Sequence, residues 1–264
     1  MFTACSDAGD NKHHSNDGKA EKEELKQSQT VAKKGKSLTE VLEEGKLVAV
    51  TSPDFPPFES IEDGAVVGIE VDIFELVCKE LGVELEFAQT DFDTIIPAVK
   101  SGKYDCGVAG ITVTEEHKQN ILFTVPYYNA AQAIVVKEDS EIKGKADLDG
   151  KTVSVQEGTT AESGCNDAGL TYSAYMANAD AKAALTKGKV DAWVVDNLTA
   201  AQMVEEGDGL KILDETFTDE PYAFAFAFGS EDLVEEINKI LTKYIEDGTI
   251  EEIFAKYGEV YVKP

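Results

Sequence analysis

"FDTIIPAVKSGKYDCGVAGITVTEEH", Phe92 to His117, decides how the rest of the chain is read. "FDTIIPAVKSG" reads as a helix and "YDCGVAG" as a strand apolar enough to be buried on both faces. "ITVTEEH" is a Thr-bearing loop that opens a second helix, with His117 where that helix begins to bury itself. Upstream, "KLVAVTS" is a β-branched strand ending in the Pro-rich loop "PDFPPF". "AVVGIEVDIFELVCKELG" passes from a strand into an amphipathic helix, and "VELEFAQT" is the next strand. Strands therefore alternate with helices and are nearly all apolar, the pattern of an α/β protein with buried parallel strands. Downstream the pattern restarts. "QAIVVKE" is a strand, "DLDGKTVSVQEGTTAESG" a turn, strand, Gly-Thr loop and helix, and "VDAWVVDN" a buried strand. "YAFAFAF" is an aromatic strand, and two amphipathic helices close the chain.

In open α/β sheets the ligand crevice lies at the carboxyl ends of the strands. Those ends carry Ser52 to Phe58, Thr90 to Phe92, Gly110 to Thr114, Glu157 to Thr160, and Asp196. They come from two successive α/β sets, which predicts a cleft between two lobes.

Composition bounds what the cleft can meet. The chain has 264 residues and a net charge of −27, which disfavours nucleic acid and anionic lipid as partners. All 24 of its strong cations are lysines; there is no arginine. Residues 1–36 hold seven lysines against six acids and few large apolar side chains, so they read as a solvated tether. The folded part begins at "SLTEVLEEG", where Ser37 and Glu40 form a capping box and Gly45 stops the helix. Cys78 and Cys106 sit in apolar runs and read as buried thiols. "FTAC" at the N-terminus resembles the lipobox of bacterial lipoproteins, with Cys5 as the lipidated residue. The alternative is an exposed cysteine in a floppy tail. His13, His14 and His117 have no metal-ligand spacing. No cofactor or metal is expected.

Six stretches in order, "KLVAVTSPDFPPFES", "VVGIEVDIFELVCKELG", "FDTIIPAVKSGKYDCGVAGITVTEE", "FTVPYY", "DLDGKTVSVQEGTTAE" and "GKVDAWVVDN", resemble the extracellular solute-binding proteins of polar amino-acid ABC importers. The resemblance spans about residues 37 to 260. It implies an α/β, two-lobed periplasmic-binding-protein-like fold of type II, with two crossing hinge segments that close on a ligand. The first lobe would be 37–128 plus 223–264 and the second 131–221, with hinges near 127–131 and 218–222. The implied function is capture of an amino acid or related small amine for ABC transporter permease subunits, without chemistry on the ligand. A lipid-anchored monomer at the extracellular face of a bacterial membrane, or in the periplasm, is the expected setting.

The resemblance also distributes roles. Phe55 and Phe92 match rings that sandwich a ligand, or else they pack the loop; Phe58 is read as core. Asp196 matches an ammonium-binding carboxylate, with a helix N-cap as the plainer reading. Gly110 and Thr112 match the carboxylate-side loop. Thr159 and Thr160, after Gln156, match the facing loop, where helix N–H groups favour an anion. Asp54 and Glu157 add acidity at the cleft mouth, and Ser52 and Val195 stand where the family often has polar side-chain readers. His117 stands where the family has an arginine that grips the α-carboxylate as a bidentate fork. A histidine cannot form that fork, and Lys118 points about 100° away round the helix. Either His117 and backbone N–H groups hold the carboxylate more weakly, or the ligand has none there. A sensory protein of the same fold and a dehydratase-type enzyme are the alternatives. Trp193, on the strand parity opposite to Asp196, is read as core.

Overall fold

The structure, a computed structural model, describes residues 35–264. Cys5 and residues 1–34 of the expected tether lie outside the described residues. Gly35 and Lys36, read above as the tether's end, instead belong to the folded body. The Gly35 N–H donates to the Phe228 carbonyl, and the Lys36 ammonium lies 2.7 Å from Glu44 and 2.9 Å from Asp105.

Helix α1 (Leu38–Glu44) opens on the Ser37–Glu40 capping box and ends at Gly45, whose φ of 72° suits a residue without Cβ. Strand β1 (Lys46–Thr51) follows, then the hairpin β2 (Ser60–Glu62) and β3 (Ala65–Val67). Next come α2 (Ile69–Leu81), β4 (Glu84–Gln89), α3 (Phe92–Lys100), β5 (Cys106–Gly107), α4 (Glu115–Lys118) and β6 (Leu122–Phe123). A second set begins with β7 (Tyr128–Lys137), a 3₁₀ turn (Lys145–Leu148), β8 (Thr152–Gln156), α5 (Thr160–Asp167) and β9 (Thr171–Tyr175). It continues through α6 (Asn178–Thr186), β10 (Ala192–Asp196), α7 (Asn197–Met203) and β11 (Leu210–Tyr222). The chain then returns through β12 (Ala225–Phe226), α8 (Glu231–Glu246) and α9 (Thr249–Lys256).

Two five-stranded sheets result, in the orders β4-β1-β5-β12-β6 and β11-β7-β10-β8-β9. Each sheet and its helices form what we term a lobe. The sheets are mixed, which corrects the all-parallel expectation. In the first, β1 runs parallel to β4 and β5 while β12 is antiparallel to β5 and β6. In the second, β8 is parallel to β9 and β10 while β7 is antiparallel to β10 and β11. Strand β4 also departs from expectation: as an edge strand it turns Glu84 and Glu86 to solvent, with Lys46 3.0 Å from Glu86.

Each sheet is covered on both faces. In the first lobe, α2, α8 and α9 press Phe74, Ile237 and Phe254 onto one face, while Ile95, Val99 and Ile121 seal the other. In the second lobe, Trp193 packs with Ala181 and Leu185, as its strand parity predicted, and Val153, Cys165 and Val194 fill the opposite face. Cys78, Cys106 and Cys165 are buried free thiols. The chain passes between lobes twice, entering β7 at Tyr128 and leaving β11 at Tyr222. The two passages pair antiparallel, from Leu210 opposite Lys137 to Tyr222 opposite Tyr128. Strand β11 is thus a 13-residue element where only a hinge at its end was expected.

Phe58 is fully buried, with its ring against Tyr128, Tyr222 and Phe254 where the returning helices meet the crossing strands. Phe58→Ala is therefore expected to cost about 3–5 kcal/mol of stability, measurable as a shift in the urea midpoint.

Candidate functional site

The strand ends of the two sheets line a narrow cleft. Nine of the residues singled out from sequence line it together with others: Phe55, Phe92, Gly110, Thr112, His117, Gln156, Thr159, Thr160 and Asp196. Ser52 and Asp54 do not line it. The Ser52 hydroxyl donates to Asp54 at 3.0 Å, and the Asp54 carboxylate turns toward the second lobe.

The first lobe supplies an aromatic wall. Phe55 stacks on Phe58 with ring centroids 5.2 Å apart, and its backbone pairs both ways with Glu59. Gly110 lies under the Phe55 ring at φ 56°. A Cβ there would come within 2.5 Å of the ring carbon Cε1, so only glycine fits both the conformation and the space. Phe92 is the first residue of α3, where the helix read from "FDTIIPAVKSG" begins.

Two buried acids stand behind this wall. Both Glu70 oxygens accept the Gly110 N–H at 3.0 Å. The Glu59 carboxyl has no donor among the described residues and faces Glu70. Burial pushes Glu70 up to about 7 and Glu59 well above the carboxylate range, so the pair keeps a proton between its carboxyls.

The second lobe supplies Asp196, which is almost completely buried. Its two readings from sequence are compatible: one oxygen caps α7 by accepting the Leu198 N–H, and the other accepts the Tyr222 hydroxyl. Desolvation pushes it up to about 7 against those two bonds. Facing it, α5 opens at Thr160. Its N-cap Thr159 accepts the Glu162 N–H, which leaves the N–H groups of Thr160 and Ala161 at the helix mouth.

The crossing strands form the floor, and sequence reasoning missed most of it. Glu220 of β11 is buried and accepts hydroxyl bonds from Thr112 of the first lobe at 2.5 Å, Thr160 of the second at 2.8 Å, and its neighbour Thr218. Gln132 of β7 pairs with Asp196 across the ladder, and its side-chain oxygen is buried without a donor among the described residues. Tyr222, Gln132 and Asn178 line the cleft unanticipated. Only the alternation in "YAFAFAF" could have pointed to Tyr222 as an inward ring. Gln132 and Asn178 depend on strand pairing and lobe contact that no local pattern encodes.

His117 is half-buried in the cleft wall, on the four-residue helix α4 capped by Thr114. Its Nδ1 lies 2.9 Å from the Thr112 carbonyl, which can only accept, so the proton of a neutral ring sits on Nδ1. Nε2 is then a bare acceptor, and only the doubly protonated ring donates from it. Among the described residues, no lysine lines the cleft.

Two lobes joined by a crossing ribbon are what the resemblance to solute-binding proteins implied. The chain belongs to the bacterial extracellular solute-binding proteins, family 3, which it matches over residues 47–260. The probable histidine-binding protein of Campylobacter jejuni is 32% identical over 213 residues, covering 78% of this chain and 82% of that protein. The arginine-binding extracellular protein ArtP of Bacillus subtilis is 32% identical over 219 residues, covering 80% and 86%. Among solved structures, an ancestral arginine-binding protein bound to arginine is 42% identical with a TM-score of 0.76, over 81% of this chain and 98% of that one. The ancestral amino acid-binding protein AncCDT-1, a precursor of cyclohexadienyl dehydratase, is 34% identical with a TM-score of 0.77, over 83% and 98%.

Two predictions follow from the site's geometry and charge. Gly110→Ala is expected to destabilise the protein by about 1–3 kcal/mol in thermal melts, since it meets both the Phe55 ring and a strained φ. Asp196 and Glu70 titrate near 7 when folded, against ordinary values of 3.8 and 4.5. Between those limits the folded protein holds protons that the unfolded chain has released, so stability falls as pH rises through the window. The ligand-free protein should melt higher at about pH 6 than at about pH 8 by scanning calorimetry, and Asp196→Asn should shrink the difference.

Proposed function

We propose that this chain is the substrate-binding component of a bacterial ABC importer and that its solute is an amino acid with a cationic side chain. The observation that carries the reading is the polarity of the cleft. Asp196 and the Gln132 side-chain oxygen line it as acceptors, Glu220 lies buried behind Thr112 and Thr160, and among the described residues no lysine or arginine lines the cleft. A cation replaces lost hydration there, whereas a second carboxylate on the ligand meets only repulsion. The α-ammonium goes to Asp196. The α-carboxylate goes to the N–H groups of Thr160 and Ala161, with doubly protonated His117 as a weaker substitute for a guanidinium fork. Phe55 and Phe92 hold the side chain between their rings and add cation–π attraction. The names of the relatives, among them histidine- and arginine-binding proteins, agree with this class.

The lobes divide as 37–128 with 223–264 against 131–221, and they rotate about the residues near 127–131 and 218–222 to open and close the cleft. The solute is bound without chemistry. A monomer held outside the cell by a lipid on Cys5 completes the proposal.

Isothermal calorimetry with L-arginine, L-lysine, L-histidine, L-glutamine and L-glutamate tests the assignment. The basic amino acids should bind and glutamate should not; tight glutamate binding would overturn it. His117→Arg, which supplies the missing fork, should raise affinity for the same basic amino acids by about tenfold or more, read from the same titrations.

A further inference from the structure

Asp54 was placed at the cleft mouth as a ligand group, yet its carboxylate is used elsewhere. It accepts the backbone N–H of Asn178 at 3.0 Å and the Gln156 amide at 3.3 Å, both from the opposite lobe. Asn178 is the first residue of α6, and the residue in the N-cap position of that helix is Ala177, which has no side chain able to cap it. Helix α6 has nine residues, and the first-turn N–H groups of any helix lack partners within it. Asp54 therefore supplies from one lobe the cap that a helix of the other lobe lacks.

The contact is built on both sides. Ser52 donates to the same carboxylate from the first lobe. In the second lobe, the Asn178 side chain donates to the Gln156 side-chain oxygen Oε1 at 2.9 Å, and the Gln156 Nε2 donates to the Met176 backbone carbonyl. Asn178 and Gln156 are buried while Asp54 is half-buried. Nearby, the lobes also touch at Gly158, where an added Cβ would lie 2.8 Å from the Asp93 Cα.

We propose that Asp54 is a closure latch: a carboxylate of the first lobe that caps helix α6 of the second only when the cleft is shut, and so favours the closed state without touching the solute. This rests on the hinge motion proposed above. The latch is a positioning device. Its loss lowers affinity for every solute by one common factor, because each then meets a protein that spends less time closed. Loss of an N-cap carboxylate sets that factor at about five- to tenfold.

The test pairs Asp54→Ala and Asp54→Asn with the unsubstituted protein. Spin labels at Glu43→Cys and Lys187→Cys, one exposed position in each lobe, report the interlobe distance once Cys5 is replaced by serine; the other three cysteines are buried. The unsubstituted protein, with and without L-arginine, tests the hinge itself: one unchanging distance would overturn both hinge and latch. If the distance does respond, the latch is judged separately. The expected result is a lower closed fraction without ligand in Asp54→Ala, with Asp54→Asn in between. Calorimetry should show L-arginine, L-lysine and L-histidine weakened by the same factor, with their order unchanged. An unchanged closed fraction would overturn the latch. So would a loss confined to one solute, which would make Asp54 a group that reads the ligand.

Discussion

The pairing of β7 with β11 is the constraint on which the rest of the molecule depends. Both passages of the chain between the lobes run through this antiparallel ribbon, which is also the edge of the second sheet. Every wall of the cleft is tied to it. Tyr222 reaches up to Asp196, Glu220 gathers one threonine from each lobe, and Gln132 lies beside Asp196 in the ladder. Four residues from Gln132 toward the first lobe the ladder ends at Tyr128, whose ring packs on Phe58 and Phe254. The floor of the site is therefore continuous with the core that anchors the C-terminal helices.

That floor sits among acids that gain little from folding. Asp196, Glu220, Glu59 and Glu70 are all buried, and none forms an ion pair with a lysine among the described residues. They are held by hydroxyls, backbone N–H groups and each other. Burying charge this way is costly, and at Asp196, which lines the cleft, the cost falls where a positively charged group would offset it. Stability and recognition are thus opposed at these positions, the usual relation at a site organised for binding rather than for packing.

The alternation of strands and helices was legible because buried strands and amphipathic helices carry their periodicity locally. So were the capping box at Ser37, the burial of Phe58 and the inward face of Trp193. The antiparallel members of the sheets were not legible. Strand direction is set by where a chain returns, and β11, with Asp214, Glu215, Asp219 and Glu220 along it, has no apolar signature. Most cleft residues were found at strand ends, where α/β topology gathers them. Asp54 was placed by its neighbour Phe55, which lines the cleft, whereas its carboxylate meets a partner 124 residues away. Glu220 and Gln132 were missed for the same reason: their meaning lies in pairings that join distant segments.

Trp193 is the chain's one tryptophan, fully buried in the second lobe on the side of β10 that faces α6 and α7 rather than the cleft. Its indole emission is consequently a reporter of that lobe's integrity alone. A solute seated between Phe55 and Phe92 would leave the spectrum almost unmoved, while melting of the second lobe would shift it to the red. The protein thus carries an intrinsic optical probe for one half of itself, and is spectroscopically quiet about its own occupancy.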